Sequence, residues 1–230
     1  MFLKALGLIH LPLLRHSPRF YWLFSQFGRL IVCLFSQLEI KGLTQLPKSG
    51  PRIVVSNHQN NLDVVVLTIA LPLRMRYMAK SELFLIPFWR QIMAWFGAFP
   101  IERGRGDVNA MKHAEKLLAE DNVLVMFPEG TRSRTGKIGK FHRGTAVLAL
   151  RSGATIIPCG VSLTEKVKTP FHLVTRPPLS LNIGEPIHIK QTNPVNKNVV
   201  ALTEEIQKAI ESLLPETYRR EISNQSNNEQ

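Results

Sequence analysis

Arg52-Ile-Val-Val-Ser-Asn-His58-Gln-Asn-Asn-Leu-Asp63-Val-Val-Val-Leu-Thr-Ile-Ala70 changes its periodicity part-way along. Arg52 to Ser56 reads as a short strand buried on both faces, because its centre is an unbroken run of β-branched residues. Asn57 to Asn61 is a polar turn rich in helix N-cap residues, and Leu62 onward is apolar for the length of a helix. In a continuous α-helix, residues five apart are turned well away from each other. His58 and Asp63 therefore meet only if His58 lies in the turn and Asp63 in the first turn of the helix. So read, the stretch is strand, loop and helix, with an imidazole beside a carboxylate at the strand's end, the arrangement of a general base and its orienting partner. Taken alone, His58 would as readily cap the helix, and Asp63 would be a favourable first-turn carboxylate.

On either side the same alternation continues. Met75 to Ala79 is strand-like, and Glu82 to Phe96 is an apolar, aromatic helical stretch interrupted by Pro87. Asp107 caps a helix bearing Met111, Ala114 and Leu118, and Asp121-Asn122 turns into the strand Val123 to Phe127. Thr145 to Ser152 is helical with Gly153 as its stop, and Thr155 to Val161 is a further strand. Leu179 to Ile183 and Ile187 to Ile189 read as late strands. A last helix from about Val199 to Leu214 puts Val199, Leu202, Ile206, Ile210 and Leu213 on one face. Such alternation predicts an α/β fold, a mixed, partly parallel sheet flanked by helices. The expected domain spans residues 43–215, and residues 216–230 read as a disordered polar tail.

The 230 residues suit one substantial core, and the net charge of +12 calls for an anionic partner: nucleic acid, an acidic membrane surface or a phosphorylated substrate. Cys33 and Cys159, both in apolar stretches, make neither a disulfide framework nor a thiolate metal site, so a reducing, cytosolic setting is expected.

The N-terminal segment, residues 1–42, narrows the choice of anion. Met1 to Leu38 contains no acidic residue, and Lys4, Arg15, Arg19 and Arg29 punctuate its apolar runs. These charges leave no run of the roughly 20 residues that a membrane span needs. His10 and Pro12 break the pattern of a secretory signal. At helical spacing Phe20 to Leu38 gathers Ser25, Gln26, Arg29, Ser36 and Gln37 into a narrow polar stripe in an otherwise apolar surface. This is the pattern of an amphipathic helix in the interface of a membrane with anionic lipids, and equally of a helix docked on the protein's own core. The basic punctuation, with Tyr21 and Trp22 near Arg19, favours membrane association.

In an α/β sheet, a site forms at the carboxyl ends of the strands. Besides the His58 turn, Gly97-Ala-Phe-Pro-Ile-Glu-Arg103 and Phe127-Pro-Glu-Gly-Thr-Arg-Ser133 qualify. In the latter, Pro128 stops the strand and Gly130 allows a tight turn. Backbone N–H groups, the Thr131 hydroxyl and the planar fork of Arg132 suit a phosphate. Glu129 suits positioning Arg132 or binding a substrate hydroxyl, because its charge repels phosphate. Isolated, the segment is an ordinary polar turn.

The segments are not isolated. Asn57-His58 with Asp63, Gly97 to Arg103, Phe127 to Ser133 and Ile157-Pro158 resemble, in order and interval, the four motifs of the glycerolipid acyltransferases. The similarity is greatest to the lysophosphatidic acid acyltransferases. Tyr77-Met-Ala-Lys80-Ser-Glu-Leu83 is similar to a further segment of the bacterial type. The resemblance covers about Leu43 to Ile189. It implies transfer of a fatty acyl group from acyl-CoA or acyl-carrier protein to the free sn-2 hydroxyl of 1-acylglycerol-3-phosphate, giving phosphatidic acid at the cytoplasmic face of a membrane. It also implies that Arg103, Glu129, Gly130, Thr131 and Arg132 hold the glycerol-phosphate end, with Lys80 a further candidate. The catalytic pair is His58 and Asp63.

No Gly-x-Ser-x-Gly elbow is present and neither cysteine has a basic neighbour, so nothing in the sequence supports a covalent acyl-enzyme. His113, His142, His172 and His188 lack metal-ligand spacing, and neither metal nor cofactor is expected. Another lysophospholipid is an alternative acceptor, and two rivals stand beside transfer itself. A nucleic-acid module fits the charge, yet the aromatics from Phe84 to Phe99 lie in a nearly uncharged stretch rather than among cations. A phospholipid or thioester hydrolase, with His58 activating water, would need no acceptor.

Overall fold

In the computed structural model, residues 18–95, 97–101, 108–169, 175–191 and 198–219 are described. Seven strands form one sheet: β1 (Gln37–Lys41), β2 (Arg52–Ser56), β3 (Met75–Lys80), β4 (Ala98–Ile101), β5 (Val123–Met126), β6 (Thr155–Ser162) and β7 (Pro178–Ile183). Their order is β1-β7-β6-β2-β5-β3-β4. Every neighbouring pair is parallel except β6 and β7. The expectation of a mixed, partly parallel sheet is met. β2 is central and buried throughout, which is why it reads as an unbroken apolar run rather than an alternating one.

Helices cover both faces. Val54, Ile157, Cys159 and Val161 point into a core shared with α2 (Leu62–Ala70) and with Val32 of α1 (Pro18–Phe35). Ile53, Val55, Leu124 and Ile156 point the other way, onto α4 (Val108–Ala119), α5 (Gly144–Ser152) and α6 (Val199–Ser212). Adjacent residues of β2 thus enter opposite cores, as the two-residue repeat of a strand requires. Burial of this apolar surface contributes on the order of 25 cal/mol per Å². α6 seats against β6 at Gly160, where a Cβ would lie 2.8 Å from the Leu213 side chain. A glycine follows Cys159 because nothing larger fits beneath the helix.

Several boundaries differ from the sequence expectations. The N-terminal helix ends at Phe35 rather than near Leu38, because Gln37–Lys41 leaves it to pair with β7; the sheet therefore begins inside the segment assigned to residues 1–42. Pro87 does not interrupt a helix but starts α3 (Pro87–Trp95), after a separate 3₁₀ turn at Ser81–Phe84. Proline is tolerated there because the first helical N–H has no intrahelical partner to lose. Beyond residue 215 the chain is still packed: Glu216–Tyr218 forms a 3₁₀ turn and Tyr218 is buried, so the tail assigned to 216–230 does not begin at 216. Ile187 forms a single bridge to Ile156 in place of the short strand expected at Ile187 to Ile189. Residues 1–17, the Asp107 cap, His172 and residues 220–230 lie outside the described residues.

α1 is docked on the domain by one side and open on the other. Gly28 lies against Ile69 of α2, with room for no Cβ, and Val32 is buried. Leu23, Phe27, Leu30 and Leu34 are each more than half exposed. These four recur at helical spacing as one apolar stripe. Leu85, Ile86 and Phe88, at the start of α3, are exposed as well, and α1 and α3 touch. No described helix is long and apolar enough to cross a membrane.

Candidate active site

Because β2, β3, β4, β5 and β6 run parallel, their carboxyl ends share one edge of the sheet. His58 follows β2 at this edge, Phe127 to Arg132 follows β5, Lys80 ends β3 and Ile101 ends β4. The edge gathers four of the sequence's candidate segments. Arg103, two residues beyond β4, lies outside the described residues.

The turn after β2 is built around one carboxylate. Asp63 is fully buried in the first turn of α2. Its Oδ2 accepts the backbone N–H of Gln59 at 2.6 Å and of Asn60 at 2.8 Å, and lies 2.9 Å from His58 Nδ1. An oxygen already accepting two N–H bonds makes Nδ1 the protonated nitrogen of the imidazole, leaving the Nε2 lone pair able to accept a proton. The other oxygen, Oδ1, accepts the Thr164 hydroxyl at 2.5 Å. The ring of His58 stacks on Phe127, with centroids 4.1 Å apart at 20°, and 13% of its side chain reaches solvent. Asn57, wholly buried, clasps β6: its amide donates to Val161 O and its carbonyl accepts Val161 N–H, both at 2.8 Å. The imidazole is thus fixed by its ring nitrogen, by a stacked face and by a backbone pinned to the neighbouring strand.

The loop after β5 is tied to that turn from the other side. Ser133 N donates to His58 O at 2.8 Å. Glu129 is buried, and its two oxygens accept the N–H groups of His58 and Gly139, each at 2.9 Å. Burial pushes the Glu129 carboxyl above its usual value, while these two bonds pull the other way. The geometry gives Glu129 a scaffolding task that the sequence did not disclose: it holds the backbone of His58. Gly130 has φ 67°, so the tight turn expected there is formed, and a Cβ would press on the His142 ring at 3.2 Å. Thr131 and Arg132 are exposed, as are Arg134 and Lys140. Lys80 is also exposed and pairs with Glu82 at 2.9 Å.

Cys159 is buried in the core, and its thiol is pushed up to about 12 by desolvation. It supplies no thiolate nucleophile. Among the described residues no cluster of three or more His, Cys, Asp or Glu is placed to hold a metal ion.

A family model described as acyltransferase matches residues 37–162, more than half of the chain. The chain belongs to the acyltransferase family. The match opens on β1, closes on β6 and contains His58, Asp63 and the Phe127 to Ser133 loop. A 1-acyl-sn-glycerol-3-phosphate acyltransferase of Bacillus subtilis is 27% identical over 188 residues, 80% of this chain and 92% of the relative. A chloroplastic 1-acyl-sn-glycerol-3-phosphate acyltransferase of Arabidopsis thaliana is 34% identical over 136 residues, 58% of this chain and 38% of the plant protein. The chain thus spans well under half the length of that plant relative. The crystal structure of the 1-acyl-sn-glycerophosphate acyltransferase PlsC from Thermotoga maritima superposes with a TM-score of 0.67 at 25% identity, over 84% of this chain and 79% of that one.

Proposed function

We propose that this family member moves a fatty acyl group from an acyl thioester, acyl-CoA or acyl-carrier protein, to the sn-2 hydroxyl of 1-acylglycerol-3-phosphate, giving phosphatidic acid. The observation that carries the reading is the pairing of a His58 ring, held at Nδ1 by buried Asp63, with the exposed Thr131-Arg132 turn at the same edge of the sheet. The acceptor named for the Bacillus, Arabidopsis and Thermotoga relatives supports this reading.

The substrate hydroxyl gives its proton to His58 Nε2 while its oxygen attacks the thioester carbonyl. The tetrahedral adduct collapses, the C–S bond breaks, and the departing thiolate recovers the proton from the imidazolium. Atoms and charge balance without a covalent enzyme intermediate. Asp63 steadies the imidazolium formed on the way. A base of this kind supplies about 10² to 10⁴ in rate, and alignment of the two bound substrates supplies much of the rest. Arg132, Thr131 and the Gly130 turn receive the phosphate, with Arg103 and Lys80 as additional cations. Glu129 acts through the scaffold.

The protein works as a peripheral or monotopic enzyme on an anionic, cytoplasmic membrane surface, lying on it through Leu23, Phe27, Leu30 and Leu34. Continuous apolar stripes of this kind on a basic protein mark a lipid-facing surface. Each such side chain buried in lipid contributes on the order of 1.5–3 kcal/mol, so Phe27→Glu with Leu30→Glu should weaken vesicle binding about tenfold or more. Unchanged flotation with anionic vesicles refutes the docking face.

The reaction is tested with a panel of lysophospholipids against both thioester donors. The expected result is phosphatidic acid in step with thiol release, dependent on 1-acylglycerol-3-phosphate. Release of free fatty acid without any acceptor would make the protein a hydrolase instead.

A further inference from the structure

Asp63 is held by two different parts of the chain. Its Oδ2 is bound by its own turn, through His58, Gln59 and Asn60. Its Oδ1 is bound by Thr164, 101 residues away and itself wholly buried. Without Thr164 the buried Oδ1 would lack a donor, and the carboxylate and the imidazole bonded to it would be restrained from one side only. The bond at Oδ1 satisfies that oxygen and adds a restraint from a second part of the chain.

Thr164 sits in a turn that does not form easily. The residue before it, Leu163, has φ 72°, a left-handed conformation that side chains rarely adopt. Two groups hold it there. Tyr218 Oη accepts Leu163 N–H at 3.0 Å and donates to Glu165 Oε1 at 2.7 Å. Asn60 Nδ2 donates to Thr164 O and Val167 O, both at 3.1 Å. Tyr218 is in turn buried, and its carbonyl accepts Ile138 N–H at 2.8 Å, next to the Gly139 that binds Glu129. One C-terminal tyrosine therefore braces both loops that carry the site. Thr164 and Tyr218 both lie beyond the residues the family model matches.

We propose that Thr164 is a positioning residue for the His58–Asp63 pair and that Tyr218 holds the turn presenting its hydroxyl. The proposal rests on His58 being the base. It assigns the C-terminal segment a part in catalysis through two hydrogen bonds, with no contact to substrate.

The test compares Thr164→Val, which keeps the shape and removes the hydroxyl, with Thr164→Ser, which restores it. Both are assayed as full chains with 1-acylglycerol-3-phosphate and an acyl thioester. Losing a hydrogen bond to a buried carboxylate should lower kcat about tenfold or more in the valine variant, with both KM values held within about twofold. The serine variant should recover most of the loss. Tyr218→Phe should lower kcat about threefold with the same unchanged KM values, a smaller effect because Asn60 still holds the turn. It decides the question alone if Thr164→Val is too unstable to purify. Wild-type kcat in Thr164→Val, or in Tyr218→Phe when that variant stands alone, overturns the proposal. So does an equal loss in the serine and valine variants, since serine keeps the hydroxyl, or a rise of KM in step with the fall of kcat, since that marks a merely structural role. His58→Ala is run alongside. Retained transfer in that variant defeats the reading of His58 as base, whereas its loss beside a fully active Thr164→Val defeats only the positioning role.

Discussion

Two loops meet at the carboxyl edge of the sheet, and they are built on opposite plans. In the turn from Asn57 to Asp63, Asn57, His58, Asn60 and Asp63 are all held by short hydrogen bonds, and Asp63 is closed to solvent. In the loop from Thr131 to Lys140, Thr131, Arg132, Arg134 and Lys140 are exposed. No ion pair of Arg132 occurs among the described residues. On the proposed function, the difference separates two tasks. Proton transfer needs a base fixed to within a fraction of an ångström, whereas capture of a phosphate is served by cations free to close on it. Glu129 joins the two plans, since it just precedes the second loop and spends both oxygens on backbone N–H groups, those of His58 in the first turn and Gly139 in the second loop.

The contrast predicts different kinetic losses on the two sides. Asp63→Asn should lower kcat by about 10² to 10⁴, because the amide cannot accept every bond the carboxylate does and favours the wrong imidazole tautomer. Steady-state kinetics with the fold checked by circular dichroism decide this; a change confined to KM breaks the contrast. Arg132→Ala should raise KM for the phosphorylated acceptor about tenfold or more, the size of a lost charge-assisted hydrogen bond, and leave kcat nearly unchanged. A fall in kcat alone would put Arg132 in the chemistry instead.

The smallest effect concerns the joint between the loops. Burial holds the Glu129 carboxyl above its usual value of 4.5, so it binds its proton more readily in the folded than in the unfolded chain. The stability this group contributes is fully present below the unfolded carboxylate value and is lost as pH rises through the raised folded value. Relative to Glu129→Gln, which does not titrate, the wild type should therefore lose stability as pH rises above the unfolded carboxylate value. Urea unfolding of both at several pH values checks the sign. A constant difference across that range contradicts it.

What the sequence disclosed was what is local. The strand-loop-helix at Arg52 to Ala70 was legible because a change of apolar pattern, a cluster of N-cap residues and the five-residue spacing of His58 and Asp63 all lie within one short stretch. The helix observed, Leu62–Ala70, has the bounds the pattern implies. Gly153, with φ 67°, ends its helix as expected. Partners contributed from afar were not legible. β1 continues the apolar spacing of α1 and becomes a strand only because β7, some 140 residues away in sequence, offers it an edge. Glu129 read as a group for an arginine or a substrate hydroxyl, since no sequence pattern announces that a carboxylate will bind two backbone N–H groups. Thr164 and Tyr218 carried no signal, being one threonine near the end of a strand and one tyrosine in a polar tail. A hydroxyl 101 residues from the carboxylate it serves is visible only once the chain is folded. The outer stripe of α1 was legible as amphipathic, and the structure resolves its two uses: Gly28 and Val32 dock on the domain, while Leu23, Phe27, Leu30 and Leu34 stay uncovered.

The most direct trial of the account is acyl transfer to 1-acylglycerol-3-phosphate by His58→Ala. Its ring is partly exposed and its backbone bonds to Glu129 and Ser133 remain available, so the variant should fold. The expected result is a fall in kcat of about 10² to 10⁴, with KM for the acceptor little changed. Phosphatidic acid formed by the variant at the wild-type rate would contradict the account.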